Sequence, residues 1–288
     1  MYYPSIHTKL VILLGNPLGH SYSALMHNHV FEKLNMDYCY WPVEVSAENL
    51  PTVFAGLTRM NVAGFNVTIP HKVRIIALLD EIDPLASVIG AVNTICIKEG
   101  RTRGYNTDGE GFLKALEAEL DISTAGKNFF ILGCGGAARA IAMTFAFHDA
   151  GKVFLCNRTI SKAEKLTAEI NEKIRPCAEV VPQISAEMTP ALRTCQVLVN
   201  STSVGMHPDE DRIPIDEALL FQELAVADIV YNPLMTRLLQ AAQHTGCRIV
   251  NGLGMLVYQG AEAFKLWTGI TPPVREMFAV LREGKKGT

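Results

Sequence analysis

The chain has no apolar run approaching the roughly 20 residues that cross a bilayer. Its longest, such as Leu10–Leu14 and Ile75–Leu79, stop after five residues, so no membrane span is expected. Cations are not in surplus. The 26 Lys and Arg face 29 Asp and Glu for a net charge of -3, which leaves nothing to wrap a polyanion and argues against nucleic acid as the main partner. The seven cysteines, Cys39, Cys96, Cys134, Cys156, Cys177, Cys195 and Cys247, include no Cys-x-x-Cys pair. Scattered singly in mostly apolar surroundings, they fit buried free thiols in a reducing cytoplasm. The stretch Met1-Tyr2-Tyr3-Pro4 lacks the features of a signal peptide, which agrees with a cytoplasmic location.

Other absences narrow the chemistry. There is no His-Glu-x-x-His, and His20, His27 and His29 are spaced so that no two share a helical face at i, i+4, so no metal site is expected. Neither a Gly-x-Ser-x-Gly elbow nor a Gly-x-x-x-x-Gly-Lys-Ser/Thr phosphate loop occurs. Internal repeats and low-complexity segments are absent too.

What is present is a 288-residue chain with 49% hydrophobic and 19% charged residues, enough for a large core in one or two domains of about 150 residues. Strand-like and helix-like stretches alternate, as in α/β proteins. Lys9 to Leu14 is a buried strand ending at Gly15-Asn16-Pro17, and Ser23 is placed to cap a helix running to Leu34. Further strands are expected at Tyr38 to Val45 and Gly64 to Thr68, with a helix from His71 to Leu79 behind Pro70. Gly90 to Tyr105 forms two extended segments turning at Lys98-Glu99-Gly100, before a helix capped by Thr107 or Asp108.

From Lys127 the rhythm is that of a βαβ unit. A strand at Asn128 to Leu132, a glycine turn, a helix at Ala137 to Phe147 and a strand at Lys152 to Cys156 follow one another. Later strands are expected at Gln196 to Asn200, Ala227 to Tyr231 and Cys247 to Val250, with helices at Ile160 to Ile174 and Thr236 to Thr245. The expected organisation is α/β with two lobes: residues 1–108 as a substrate domain and 109–250 as a doubly wound dinucleotide domain. Residues 251–288 are expected to form two helical stretches, separated by Thr268 to Pro273, that return to the first lobe.

Gly133-Cys134-Gly135-Gly136-Ala137-Ala138 has the G-x-G-x-x-A spacing directly between a strand and a helix. The first glycine permits the turn, Gly135 lets the backbone approach a pyrophosphate, and the helix end holds its charge. The next strand ends at Asn157-Arg158-Thr159 with Lys162 following, where NAD enzymes often place an acid on the ribose hydroxyls. An arginine fork there suits the extra phosphate of NADP; the alternative is an exposed arginine at a helix start.

Three polar segments stand out. Ser21 and Ser23 either donate to one carboxylate or serve as turn and cap residues. Asn66 and Thr68 share a strand face, and Lys72 follows in the first turn of the expected helix, a poor place for a purely structural cation. Gly90-Ala91-Val92-Asn93-Thr94 and Asn106-Thr107-Asp108-Gly109 form the third; Asp108 is a helix cap or, paired with a lysine, a proton-handling group.

Taken together the chain resembles the shikimate dehydrogenase family, including its quinate/shikimate branch. The matching stretches are Gly15 to Ser23 with His27-Asn28, Asn66 to Pro70 with Lys72, Gly90 to Thr94, Asn106 to Gly109, Gly133 to Ala137, Asn157 to Thr159, and Gly252 to Leu256 with Gln259. The resemblance implies a substrate lobe facing a Rossmann lobe, and reversible NADP-dependent interconversion of 3-dehydroshikimate and shikimate in the pathway to aromatic amino acids. By motif match, Lys72 is the acid/base residue and Asp108 its partner. Ser21 and Ser23 hold the substrate carboxylate with help from Tyr231, while Thr68, Asn93 and Gln259 fix ring hydroxyls. Gly133, Gly135, Gly136, Ala137, Asn157, Arg158, Thr159, Lys162, Ile229 and Gly252 fall at cofactor positions, and Asn200 to Met206 resembles the nicotinamide-side segment.

Departures point in two directions. Ala24 stands where the family usually has proline, and Tyr105 with the tail Tyr258 to Gly269 resembles the quinate/shikimate branch, which would admit quinate and NAD. The Asn157-Arg158-Thr159 triplet points to NADP. A small-molecule substrate, a monomer or homodimer, and no metal complete the expectation; a sensor that binds the metabolite without chemistry is the competing class.

Overall fold

The computed structural model describes residues 5–19 and 21–284, so Met1-Tyr2-Tyr3-Pro4 and His20 lie outside the described residues. The chain divides into two units, Met1–Thr107 with Gln259–Thr288, and Asp108–Tyr258.

The first unit opens with β1 (Lys9–Gly15), α1 (Ser23–Lys33), β2 (Tyr38–Glu44), α2 (Leu50–Leu57) and β3 (Val62–Val67). A short 3-10 turn, Arg74–Leu78, precedes β4 (Glu81–Ile82), α3 (Pro84–Ile89), β5 (Thr94–Lys98) and β6 (Arg101–Tyr105). The six strands lie in the order β2-β1-β3-β5-β6-β4. The last five residues of β1 are all buried, which is how a parallel strand covered on both faces reads in sequence. It runs parallel to β2 and β3, while β5 is antiparallel to β3 and to β6. The β5–β6 hairpin turns at Glu99 and Gly100, both at positive φ, as tight hairpins require. At the sheet's β2 edge, Asn28 donates to the Tyr40 carbonyl (3.0 Å) and accepts from its amide (2.7 Å), blunting that edge.

The second unit starts within α4 (Thr107–Leu120) and continues through β7 (Phe129–Leu132), α5 (Gly136–Phe147), β8 (Val153–Cys156), α6 (Ile160–Lys173), β9 (Ala178–Val180) and α7 (Ser185–Leu192). Then come β10 (Val197–Asn200), β11 (Ala225–Asp228), α8 (Arg237–His244) and β12 (Ile249–Val250). The strand order β12-β11-β10-β7-β8-β9 is wholly parallel. It is the doubly wound order, whose direction of winding reverses between β7 and β10. Apolar residues of β7, β8, β10 and β11 bury against Met188, Leu192, Leu238 and Leu239 of α7 and α8. Phe129 of β7 stacks on Phe145 of α5 at 4.0 Å.

The chain closes with α9 (Gly252–Thr268) and α10 (Val274–Gly284). The part of α9 from Gln259 onward belongs to the first unit, where Trp267 donates to the Ile95 carbonyl of β5 at 3.0 Å. Glu276 of α10 pairs with Lys33 of α1 at 3.3 Å. Among the described residues no helix is long and apolar enough to cross a membrane, and all seven cysteines are free thiols.

Local structure departs from the sequence reading in four places. The helix expected from His71 to Leu79 is only the 3-10 turn at Arg74–Leu78, so Lys72 precedes it. The reason is tertiary: buried His71 bonds the Val45 carbonyl through Nε2 at 2.7 Å, fixing a turn where the helix would start. Ser23 is the first residue of α1 rather than its cap, and Ser21 Oγ accepts from its amide at 3.4 Å. Neither Thr107 nor Asp108 precedes α4 as a cap; both are helical, and Asn93 Oδ1 accepts the Thr107 amide at 2.8 Å from 14 residues away. The strand expected to reach Tyr231 ends at Asp228, whose carboxylate accepts the Val230 amide at 3.0 Å and turns the chain.

Candidate active site

In the second unit the switch point between β7 and β10 opens as a groove of about 530 Å³. Its lining includes Gly133, Cys134 and Gly135 after β7, Asn157 and Arg158 after β8, and Ser201 to Val204 after β10. Gly133 has φ +101, and a Cβ there would sit 2.9 Å from Ser201 Oγ, so both turn geometry and crowding demand glycine. A Cβ on Gly135 or Gly136 would meet nothing within 4 Å. Their backbone at the start of α5 therefore faces open space, where helix amides attract an anion.

Asn157 is a strut. Its Oδ1 accepts the Cys134 amide (3.2 Å) and its Nδ2 donates to the Thr159 carbonyl (2.8 Å), locking the glycine turn to the next βα turn. Arg158, Thr159 and Lys162 are exposed, and none of the groove's lining residues is acidic. Burial pushes the Cys134 thiol up to about 11, with the Lys162 charge opposing; that thiol is a lining atom and not a nucleophile. These residues fit a dinucleotide carrying an extra phosphate. Ile229 and Gly252 also meet within this unit: a Cβ on Gly252 would collide with the Ile229 carbonyl.

Behind the groove lies a buried polar lock that joins the Asn200 segment to Asp228, a carboxylate outside every sequence motif. Asn200 Oδ1 accepts the Thr202 amide (3.1 Å) and hydroxyl (2.7 Å), while its Nδ2 donates to Asp228 Oδ1 at 3.0 Å. Asp228, fully buried, also accepts from Thr236 Oγ1 at 2.7 Å. Burial pushes its carboxyl above the ordinary range, and the hydrogen bonds from Val230, Thr236 and Asn200 oppose that.

In the first unit, polar residues gather where β1 and β3 end. The Thr68 amide donates to the Leu14 carbonyl (2.9 Å), bringing Thr68 beside the Gly15 turn that leads to Ser21 and Ser23. Lys72, half-buried, accepts the Val92 amide on its carbonyl at 2.8 Å, which sets it next to Asn93. Asn93 is buried and its Nδ2 donates to Thr107 Oγ1 at 3.0 Å. The buried Tyr40 hydroxyl donates to Asn66 Oδ1 at 2.9 Å. Asn66 is thus an internal strut bonded to the Asn93 carbonyl and to Thr94, away from solvent. Gln259 precedes Gly260, at which a Cβ would press on Met26 and His27 of α1. Ser21, Ser23, Thr68, Lys72, Asn93 and Gln259 therefore share one unit, whereas Asp108 and the half-exposed Tyr231 belong to the other.

Three family models cover most of the chain: the shikimate dehydrogenase substrate binding domain over residues 13–95, shikimate/quinate 5-dehydrogenase over 115–207, and the shikimate 5'-dehydrogenase C-terminal domain over 252–282. A relative named shikimate dehydrogenase (NADP(+)), from Methanopyrus kandleri, is 44% identical over 94% of this chain and 93% of its own. The Listeria monocytogenes shikimate 5-dehydrogenase, solved in complex with shikimate and NAD, aligns with TM-score 0.94 at 37% identity, covering 98% of this chain and 99% of that one. A Corynebacterium glutamicum quinate dehydrogenase in complex with NAD aligns with TM-score 0.88 at 29% identity, covering 96% and 99%. With its motifs, its doubly wound second sheet and this end-to-end similarity in agreement, the chain belongs to the shikimate dehydrogenase family.

Proposed function

We propose that the protein is an NADP-dependent shikimate dehydrogenase, interconverting 3-dehydroshikimate and shikimate on the route to aromatic amino acids. The observation that carries this reading is a dinucleotide groove with Arg158 on its wall and no acidic residue in its lining, joined to the 44% identity with a relative named for NADP(+). Gly133, Gly135, Gly136 and Ala137 would hold the pyrophosphate, Asn157 the turn beneath it, and Arg158, Thr159 and Lys162 the 2'-phosphate. Ile229 and Gly252 would line the nicotinamide end. Bound NADP supplies the acceptor or donor of the hydride.

We assign the remaining work to side chains. Lys72 takes the proton from the reacting hydroxyl as its carbon is oxidised, and its ammonium returns that proton to the carbonyl oxygen in the reverse direction. Asp108 orients the same hydroxyl; it follows Thr107, which Asn93 holds by its side chain. Ser21, whose Oγ accepts the Ser23 amide, keeps its O–H to donate, and with Ser23 and Tyr231 it binds the substrate carboxylate. Thr68, Asn93 and Gln259 contact the ring hydroxyls. In this reading residues 1–108 are the substrate domain, 109–250 the cofactor domain and 251–288 helices returning to the former. Seven free thiols support a cytoplasmic location, and we place the protein there as a monomer or homodimer.

Initial rates with shikimate and with quinate, each paired with NADP+ and NAD+, test the proposal. Shikimate with NADP+ should run far ahead of the other three combinations. Comparable turnover of quinate or with NAD+ would move the protein to the dual-specificity branch that its tail resembles.

A further inference from the structure

The second unit contains seven arginines, and five of them have evident partners. Arg139 pairs with Glu169, Arg175 with Asp149, and Arg237 with Glu217. Arg193 lies over the Phe221 ring, and Arg248 donates to the Leu120 carbonyl. The other two, Arg158 and Arg212, have no ion pair among the described residues, and both line the switch-point groove. They come from separate segments, Arg158 from the turn after β8 and Arg212 from the long loop after β10.

Arg212 is held in place from both sides. The Arg212 amide donates to the Asp209 carbonyl at 3.4 Å. Its own carbonyl lies 3.3 Å from where a Cβ on Gly205 would stand, at φ +89. Beyond it, Gln183 Nε2 donates to the Pro214 carbonyl at 3.4 Å, tying the loop to the segment after β9. Ile213 and Ile215 pack on the core. The exposed guanidinium is therefore presented from an anchored backbone onto a groove that offers it no acid.

Two guanidiniums without acidic partners on one acid-free groove favour an anion there. The pyrophosphate has the helix amides of α5, so the anion left for the arginines is the phosphate that distinguishes NADP from NAD. We propose that Arg212 is a further specificity-determining residue, reading the 2'-phosphate from the opposite segment to Arg158, Thr159 and Lys162. This rests on the NADP reading above.

Calorimetric titration of the full chain with adenosine 2',5'-bisphosphate, 5'-AMP, NADP+ and NAD+ tests it, using Arg158→Ala, Arg212→Ala and the double variant. Arg212→Ala should weaken the bisphosphate and NADP+ by about tenfold, the scale of one charge-assisted hydrogen bond, and leave 5'-AMP and NAD+ within about twofold. Each single variant should keep a larger part of the preference for the 2'-phosphate than the double variant, which retains only what Thr159 and Lys162 supply. An unchanged preference in Arg212→Ala, or an equal loss for both ligand pairs, would overturn the inference. If the unaltered protein itself prefers neither NADP+ nor the bisphosphate, it is the cofactor reading that falls.

Discussion

In the proposed reaction Lys72 carries the proton transfer. Its carbonyl, not its amine, makes the bond to Val92 that holds the backbone, so Lys72→Ala should fold normally while kcat drops on the order of 10³-fold, the range of general acid–base catalysis. Steady-state rates with a thermal melt check this; retained turnover would overturn the proton-transfer role. Unchanged rates at background in the unaltered protein, with tight shikimate binding, would revive the sensor reading. Gly133 carries the opposite kind of demand. At φ +101, with Ser201 Oγ in the way, Gly133→Ala should cost about 1–3 kcal/mol and weaken NADP binding in step. Denaturant unfolding and cofactor titration of the same variant would show both effects.

At the scale of elements, the ends of β10 and β11 are joined by a single carboxylate. Asp228 accepts from the Asn200 side chain, the Val230 amide and the Thr236 hydroxyl, so it fixes the loop after β10 and at once orients Thr236, the residue that caps α8. Asp228→Ala should leave these donors orphaned and destabilise by about 3 kcal/mol or more, with Asp228→Asn between the two. Urea midpoints give the order, and the NADP KM should rise with it because Asn200 holds Thr202 in the groove. The start of α4 shows the same principle. A sequence window around Thr107 contains an obvious capping residue, yet the acceptor comes from Asn93, just before β5. Likewise the run from His71 to Leu79 has helical content, and the buried His71 bond to Val45 diverts it into a 3-10 turn.

For the molecule as a whole, the first unit stores an acid sensitivity in its core. His27 is fully buried among aromatics, stacked on Tyr40 at 4.7 Å and meeting Trp267 edge-on at 5.2 Å. Among the described residues neither ring nitrogen has a hydrogen-bond partner, and burial lowers its pKa to about 3. The unfolded chain takes up this proton near pH 6.5 and the folded one does not until about pH 3. The stability from neutral His27 is thus complete above about pH 6.5, and falls by about 1.4 kcal/mol per unit as pH drops through that window. Urea unfolding at pH 7 and pH 5 should show the loss, and His27→Phe should be less sensitive to the same change. Equal pH dependence of the two proteins would remove His27 as the cause.

The strands with four buried residues in a row, the glycine turn between β7 and α5, and the Asn157-Arg158-Thr159 triplet were determined by the sequence alone, because each depends on neighbours within a few positions. The same holds for the β5–β6 turn at Glu99-Gly100 and for the break between α9 and α10 at Thr268 to Pro273. Tertiary structure alone decided that Asn66 is an internal strut, that Asn93 serves α4, that Asp228 holds Asn200, and that Arg212 shares a groove with Arg158. These outcomes depend on hydrogen bonds and charges between segments 14 to 54 residues apart in the chain. Local propensity does not encode such pairings; burial does, by making every unpaired polar group costly until the fold supplies its partner.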